Sequence, residues 1–227
     1  VALLPGVETE EALAAQAERI IHALDKPFHV RRKELKLSCS IGIAILHRDA
    51  STPESIITCA DLAMNAAKQA GKNRVVAYAP VLGHKALDRA RTETELGAAI
   101  VNGELRVVYQ PKVAPSTLSV ESVEALVRWQ HPTQGLLSPA RFIDIAEKSG
   151  LIEPLGREVL RIAAAQCREW LEKGVPRKIS INVCHSEFSR PDFAEGALAM
   201  IREAGIPCNL VELELTETVA MADPVLS

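Results

Sequence analysis

Apolar positions in the first part of the chain switch between strand and helix spacings. Val1–Leu4 is an apolar run closed by Pro5-Gly6, predicting a short strand and a turn. Thr9 is placed to cap a helix, with Glu10 and Glu11 at its positive end. Leu13, Ala17, Ile20, Ile21 and Leu24 then recur at helical spacing until Pro27. Strand patterns follow around Phe28–Val30 and over Leu35–Leu46, the latter with the β-rich centre Ile41-Gly42-Ile43-Ala44-Ile45. Ser51-Thr52-Pro53-Glu54 predicts a helix start: a hydroxyl cap, a proline in the first turn and an acid three residues after Ser51. That helix is expected to run to about Ala70 and stop at Gly71, before a short strand at Arg74–Tyr78.

A second series begins after Pro80. His84–Val101 is a charged, partly amphipathic helix stopped by Asn102-Gly103. Predicted strands at Leu105–Gln110 and Val120–Trp129 flank a turn at Ala114–Leu118. Helices at Pro139–Lys148 and Pro154–Lys173, a strand at Lys178–Val183, a helix at Asp192–Ala204 and a strand at Leu210–Thr216 complete the pattern. Strands alternating with helices predict an α/β protein with parallel sheet or barrel topology. No internal repeat or low-complexity tract interrupts it.

Composition narrows the function classes. The chain has 227 residues, a formal net charge of -3 and 48% hydrophobic residues, which suits one large globular domain or two small ones. The slight acidity offers no basic face for nucleic acid, although a compact basic pocket for a phosphate ligand is compatible with it. The five cysteines, Cys39, Cys59, Cys167, Cys184 and Cys208, are scattered and lack the paired spacing of a zinc site. They are expected to be reduced thiols in a cytoplasmic protein. No apolar run approaches the ~20 residues of a membrane span. The opening Val1–Gly6 has no basic lead for a signal peptide, and the chain starts without Met, as if inside a longer protein. Upstream sensor or membrane segments in that protein remain open.

Residues 1–80 resemble the C-terminal part of a GGDEF domain. The matching stretches are Leu3-Leu4-Pro5, Ser40-Ile41-Gly42-Ile43-Ala44 and the long run from Ala60 through Asp61-Leu62-Ala63-Met64 to Gly71-Lys72-Asn73. Asn65 stands where the family usually has Tyr. Residues 104–227 resemble the N-terminal half of an EAL domain, and residues 81–103 read as a connecting helix. The EAL-like stretches include Tyr109-Gln110-Pro111, Val123-Glu124-Ala125-Leu126-Val127-Arg128-Trp129, Ala146-Glu147-Lys148-Ser149-Gly150-Leu151-Ile152, Ser180-Ile181-Asn182-Val183 and Glu212-Leu213-Glu214-Leu215-Thr216-Glu217. The resemblance implies a partial nucleotidyl-cyclase-like α+β sheet followed by an incomplete TIM-type (β/α) barrel.

It also implies a bacterial second-messenger function: hydrolysis of cyclic di-GMP to the linear dinucleotide with two Mg²⁺ or Mn²⁺ ions. Such ions prefer hard oxygen ligands, and a close pair activates water and steadies the leaving oxygen. By resemblance Glu124, Asn182 and Glu217 are metal ligands, and Gln110 and Arg128 contact substrate. Along its strand Glu124 shares a face with Leu126 and Arg128, pairing a carboxylate with a guanidinium suited to a phosphate. A cross-strand salt bridge on a solvated sheet is the alternative for that pair. Asn182 falls opposite Ile181 and Val183, and an Asn turn residue is its alternative. Glu217 is expected on one face with Val211, Leu213 and Leu215, topping a packed barrel layer. Glu212 and Glu214 are then expected on the other face, outside the site. His131 reads as a loop histidine without a ligand role, and Cys184 stands where the family usually has Ser.

In the GGDEF-like part, Lys68 and Lys72 would by resemblance reach the phosphates of GTP, four residues apart on one helix face. A solvated basic helix end is the other reading. The signature that names that family lies outside this sequence, so cyclase activity is not supported. The later EAL motifs, with adjacent acids, a catalytic Lys and a further Glu, also lie outside it. By resemblance the water-activating groups are expected beyond Ser227, so the catalytic residues are unknown and the chain alone is expected to be inactive. The other function class is a catalytically inactive GGDEF–EAL receptor for cyclic di-GMP. A homodimer through the EAL-like part is the oligomer that the resemblance suggests.

Overall fold

A computed structural model of the chain describes residues 1–7, 9–31 and 33–215. The chain divides into two units between Ala90 and Arg91. In the first unit, α1 (Glu10–Leu24) is capped by Thr9, whose side chain accepts from the Ala12 N–H, and it buries Ala17 and Ile21. β1 (Phe28–Val30) and β2 (Lys33–Leu35) form an antiparallel pair. β3 (Ile41–Ile43) runs parallel to β4 (Val75–Ala77). The run predicted as one strand from Leu35 to Leu46 is thus divided between two ladders, with Lys36–Ser40 in neither. Val1–Leu4 is not a strand. No strand pairs with it among the described residues, and Val1, Leu3 and Leu4 are exposed.

The helix after β3, α2 (Pro53–Gln69), starts one residue later than the spacing of Ser51 and Glu54 suggests. Thr52 is the cap, and Ser55 returns the bond to the Thr52 N–H. Proline in the first turn of the helix makes Thr52 the last extended residue. Cys59, Ala63 and Ala67 form the buried face of α2. These small side chains let β3 lie almost directly on the helix backbone. A Cβ on Gly42 would fall 2.1 Å from the Ala60 carbonyl oxygen and 2.1 Å from the Met64 nitrogen.

α3 (Pro80–Val101) carries the division between the units, and its end contributes Leu96 and Ala99 to the core of the second. There β5 (Leu105–Val113) and β6 (Val120–His131) form an antiparallel hairpin, with a register shift at Lys112/Val113 before the turn. β7 (Gly135–Leu137), which the pattern did not show, pairs with the end of β6. A short 3-10 turn, α4 (Ile143–Ser149) and α5 (Ile152–Glu172) lead to β8 (Lys178–Val183), which is parallel to β6. A single turn, α6 (His185–Phe188), then α7 (Phe193–Glu203), lead to β9 (Val211–Leu215), parallel to β8. The sheet order is β5-β6-β8-β9.

One face of this sheet is covered. Leu105, Val123, Ala125, Trp129, Ile179 and Ile181 pack with Leu155, Val159, Ala163 and Cys167 of α5. Alternation along each strand then commits the other residues to the opposite, open face. Trp129 meets Phe142 edge to face at 5.9 Å. His131 is not a loop histidine: it ends β6 and is buried. The N–H groups of Thr133 and Gln134 donate to its Nδ1, which leaves Nε2–H to donate to Glu95 at 3.2 Å.

The end of β8 is held by a buried carboxyl. Glu187 of α6 accepts from the Cys184 N–H and thiol at 3.3 and 3.1 Å, and lies against Gly156 of α5, where a Cβ would collide with its Oε1. Burial pushes the Glu187 carboxyl above its ordinary range, with Glu147 adding to the rise and the Cys184 bonds opposing it. Its folded pKa exceeds the unfolded one, so stability falls as pH rises from the ordinary carboxyl range through the raised value. Glu187→Gln carries no proton to lose. Urea midpoints followed by tryptophan fluorescence, which both report on this unit through Trp129 and Trp170, are expected to favour the variant increasingly as pH rises above the ordinary carboxyl range. Parallel pH profiles for the two proteins would contradict this.

Candidate functional site on the open face of the sheet

Register alone assembles the site. Gln110 of β5 stands opposite Glu124 of β6, Glu124 opposite Ser180 of β8, and Ser180 opposite Glu212 of β9. One step towards the ends of the parallel strands, Asn182 stands opposite Glu214. Residues paired across neighbouring strands point to the same side. The open face therefore carries Gln110, Glu124, Ser180, Asn182, Glu212 and Glu214. Asn182 Nδ2 donates to Glu124 Oε1 at 2.7 Å, linking β8 to β6 across 58 residues of sequence.

Arg128 lies on the same face of β6 as Glu124, two steps nearer the strand end. It is half-buried, and its Nη1 donates to the Val127 carbonyl at 2.7 Å. Arg106, which the sequence did not single out, is its partner across the hairpin, and its guanidinium is held by the Gly103 and Leu105 carbonyls. The face thus passes from two guanidinium groups to a group of carboxylates. Gln110 does not end its strand as expected. β5 continues through Pro111 to Val113, because the other side of β5 is unpaired among the described residues and an edge strand tolerates a missing N–H.

The expectation for β9 is corrected. Val211 packs against the core, and Leu213, in register with the buried Ile181, lines a cavity with Gly156 and Leu160 of α5. The apolar set of β9 lies on the helix side of the sheet, with Leu213 and Leu215 still exposed, and Glu212 and Glu214 share the face of Glu124 and Asn182. Glu217 lies outside the described residues. So does Ser227, and among the described residues no catalytic base is assigned. The signal for β9 was present in β8, where polar Ser180 and Asn182 alternate with Ile179, Ile181 and Val183. The same rule applied to β9 puts Glu214 beside Asn182.

Lys112 is the other group that the sequence did not reveal. Its Nζ donates to Ser180 Oγ at 3.0 Å and pairs with the Glu214 carboxylate. That contact lowers the Glu214 pKa and raises the Lys112 pKa, which Glu124 and Glu212 raise further. Among the described residues, no three His, Cys, Asp or Glu side chains are grouped as a metal site. Glu124, Glu214 and Asn182 on this face nonetheless offer two carboxylates and an amide, oxygen donors of the type that Mg²⁺ and Mn²⁺ prefer.

Lys68 and Lys72 do not share a helix face. α2 ends at Gln69, Gly71 has φ 108° and Lys72 has φ 61°, so the left-handed turn carries Lys72 off the helix. Both lysines are exposed. Asn65 Nδ2 donates to Asp61 within α2 at 3.1 Å. None of the described helices is long and apolar enough to cross a membrane.

Comparison with known proteins agrees with this division. Residues 1–74 match the family model of the diguanylate cyclase GGDEF domain, and residues 93–225 match that of the EAL domain. Cyclic di-GMP phosphodiesterase PdeR of Escherichia coli is 34% identical over 216 residues, 95% of this chain and 32% of that protein. The bifunctional diguanylate cyclase/cyclic di-GMP phosphodiesterase MucR of Pseudomonas aeruginosa is 34% identical over 225 residues, 98% of this chain and 33% of that protein. A structure described as the PaMucR phosphodiesterase in complex with c-di-GMP superposes with a TM-score of 0.57 at 33% identity, over 60% of this chain and 56% of that one. The chain spans about a third of the length of these curated relatives. With more than half of its residues inside one family model, the chain belongs to the EAL domain family, preceded by sequence of the GGDEF family.

Proposed function

We propose that this chain contributes metal- and substrate-binding residues to an enzyme that hydrolyses cyclic di-GMP to the linear dinucleotide. The observation that carries this reading is the pairing of Glu124 with Asn182 on the face that also holds Glu214 and Arg128. Glu124, Asn182 and Glu214 would hold Mg²⁺ or Mn²⁺, with Glu217 kept as a further ligand carried by resemblance alone. Bound there, the ions would supply Lewis acidity and activate water. For Asn182 to serve, its amide turns so that the oxygen, now behind the nitrogen that meets Glu124, faces the ion. Arg128 holds a phosphate of the substrate by charge-assisted hydrogen bonds, and Gln110, beside Glu124, orients the substrate or a water.

In the full-length protein, cyclic di-GMP supplied with Mg²⁺ or Mn²⁺ is expected to be converted to the linear dinucleotide. Absence of product in both metals, with cyclic di-GMP still bound, would favour the receptor reading, which the Lys112–Glu214 pairing supports. Arg128→Ala is expected to weaken cyclic di-GMP binding about ten- to a hundredfold, through loss of about 1.5–3 kcal/mol from a charged hydrogen bond. Metal binding should change little. Calorimetric titrations of ligand and metal separately check this, and equal losses in both would assign Arg128 a structural role.

The five cysteines are free, which supports a reducing, cytoplasmic setting. A homodimer through the EAL unit is the assembly that completes this reading. In the first unit, Lys68 and Lys72 remain candidates for phosphate contacts, reaching an anion from two backbone directions.

A further inference from the structure

We infer that Lys112 is an internal competitor of the divalent ion, an ammonium that pairs with Glu214 in the metal-free protein and thereby sets the site's metal affinity. The inference rests on the proposed metal-binding role of Glu124, Asn182 and Glu214. Lys112 lies on β5 one step beyond Gln110 along the open face, in register with Ser122. From that edge strand its side chain crosses β6 to reach β8 and β9, donating to Ser180 Oγ and pairing with Glu214. Glu124 and Glu212 also act on its charge. One flexible cation thus sits among the carboxylates that the sheet register collects.

The consequence is a difference between two states of one carboxylate. In the metal-free protein Glu214 is neutralised by Lys112 and held with Ser180. To accept a divalent ion, Glu214 must give up that ion pair, and the ammonium must remain near, or move away from, a doubly charged neighbour. Both steps oppose metal binding. The ion pair is partly solvated, with the two side chains 37% and 33% exposed, so its own contribution is modest. Repulsion between the ammonium and the ion adds to it in the same direction. Lys112 is therefore a positioning residue acting through Glu214, not a group that reacts with substrate. Its stem is long and mobile enough to withdraw, whereas a carboxylate fixed by a rigid neighbour would be occluded permanently.

The test is Mn²⁺ binding to the 227-residue chain and its Lys112→Met, Lys112→Gln, Lys112→Arg and Glu124→Ala variants. It is read by electron paramagnetic resonance of the free ion, with tryptophan fluorescence verifying the fold. Both neutral variants are expected to bind Mn²⁺ more tightly, by about three- to tenfold, while Lys112→Arg stays near the parent. Unchanged or weaker binding in Lys112→Met and Lys112→Gln, with Glu124→Ala still losing affinity, would overturn the role of Lys112 and leave the site assignment standing. Failure of the parent and every variant to bind Mn²⁺ would overturn both.

Discussion

Glu124→Ala in the full-length protein is expected to abolish metal-dependent hydrolysis of cyclic di-GMP, lowering kcat by about 10³-fold or more. Glu124 is the carboxylate to which the other parts of the site are referred. Gln110 and Ser180 flank it in register, and the Asn182 amide donates to it. Its loss would remove a proposed ion ligand and leave Asn182 without its partner. The open face is polar and half-solvated, so the substitution costs the sheet little, and a folded but inactive variant is expected. The register extends the expectation to Glu214→Ala, which should approach the same loss. Steady-state hydrolysis with Mg²⁺ and Mn²⁺, alongside thermal unfolding, checks both. Near-normal turnover in folded Glu124→Ala protein would remove this face from the chemistry, and near-normal turnover in Glu214→Ala alone would return the third ligand to Glu217.

Gly42→Ala is expected to have the largest effect on stability, costing the first unit about 3 kcal/mol or more. Overpacking ordinarily costs about 1–3 kcal/mol because neighbouring side chains rearrange. At Gly42 the neighbours are backbone: the Ala60 carbonyl oxygen, the Met64 nitrogen and, at 2.8 Å, the Ala63 carbonyl carbon. These atoms belong to α2 and cannot rotate aside, so β3 must separate from the helix. That movement opens the β3–β4 ladder and uncovers Ala63, which is fully buried. Both tryptophans belong to the second unit, so far-UV circular dichroism read against tryptophan fluorescence isolates the loss. Ellipticity should melt early while the fluorescence transition stays in place. Coincident, unshifted transitions would show that β3 can slide to accommodate a methyl group.

Why Gly42 must be glycine was not legible from its surroundings in the sequence. Ile41-Gly42-Ile43 announces a strand, but the approach to α2 depends on where Cys59, Ala63 and Ala67 present their small side chains. His131 shows the same limit. A histidine after Trp129 in a run ending with proline looks like a loop residue. Only the pairing of β6 with β7 buries it and supplies the N–H groups that fix its ring. Lys112 was invisible for a related reason. Its partner Glu214 lies 102 residues away, and nothing local indicates that a side chain on an edge strand reaches across two neighbours.

Along the chain, local chemistry determined where most elements lie. Thr9, Pro53 and Gly71 act through hydrogen bonds and backbone angles within a few residues, and alternation within β6 and β8 depends only on the pleat. Those rules placed Glu124 with Arg128, and Asn182 opposite Ile181, before any strand was paired. Tertiary structure decided which face of β9 joins Glu124 and Asn182. Alternation sorts residues into two sets but does not say which set meets the helices. That choice is made when Val211 packs against the core and the β8–β9 register sets Leu213 beside Ile181 and Glu214 beside Asn182. It also decided the fate of Lys72, because a left-handed turn at the end of α2 rotates the chain off the helix face that uniform spacing had assumed.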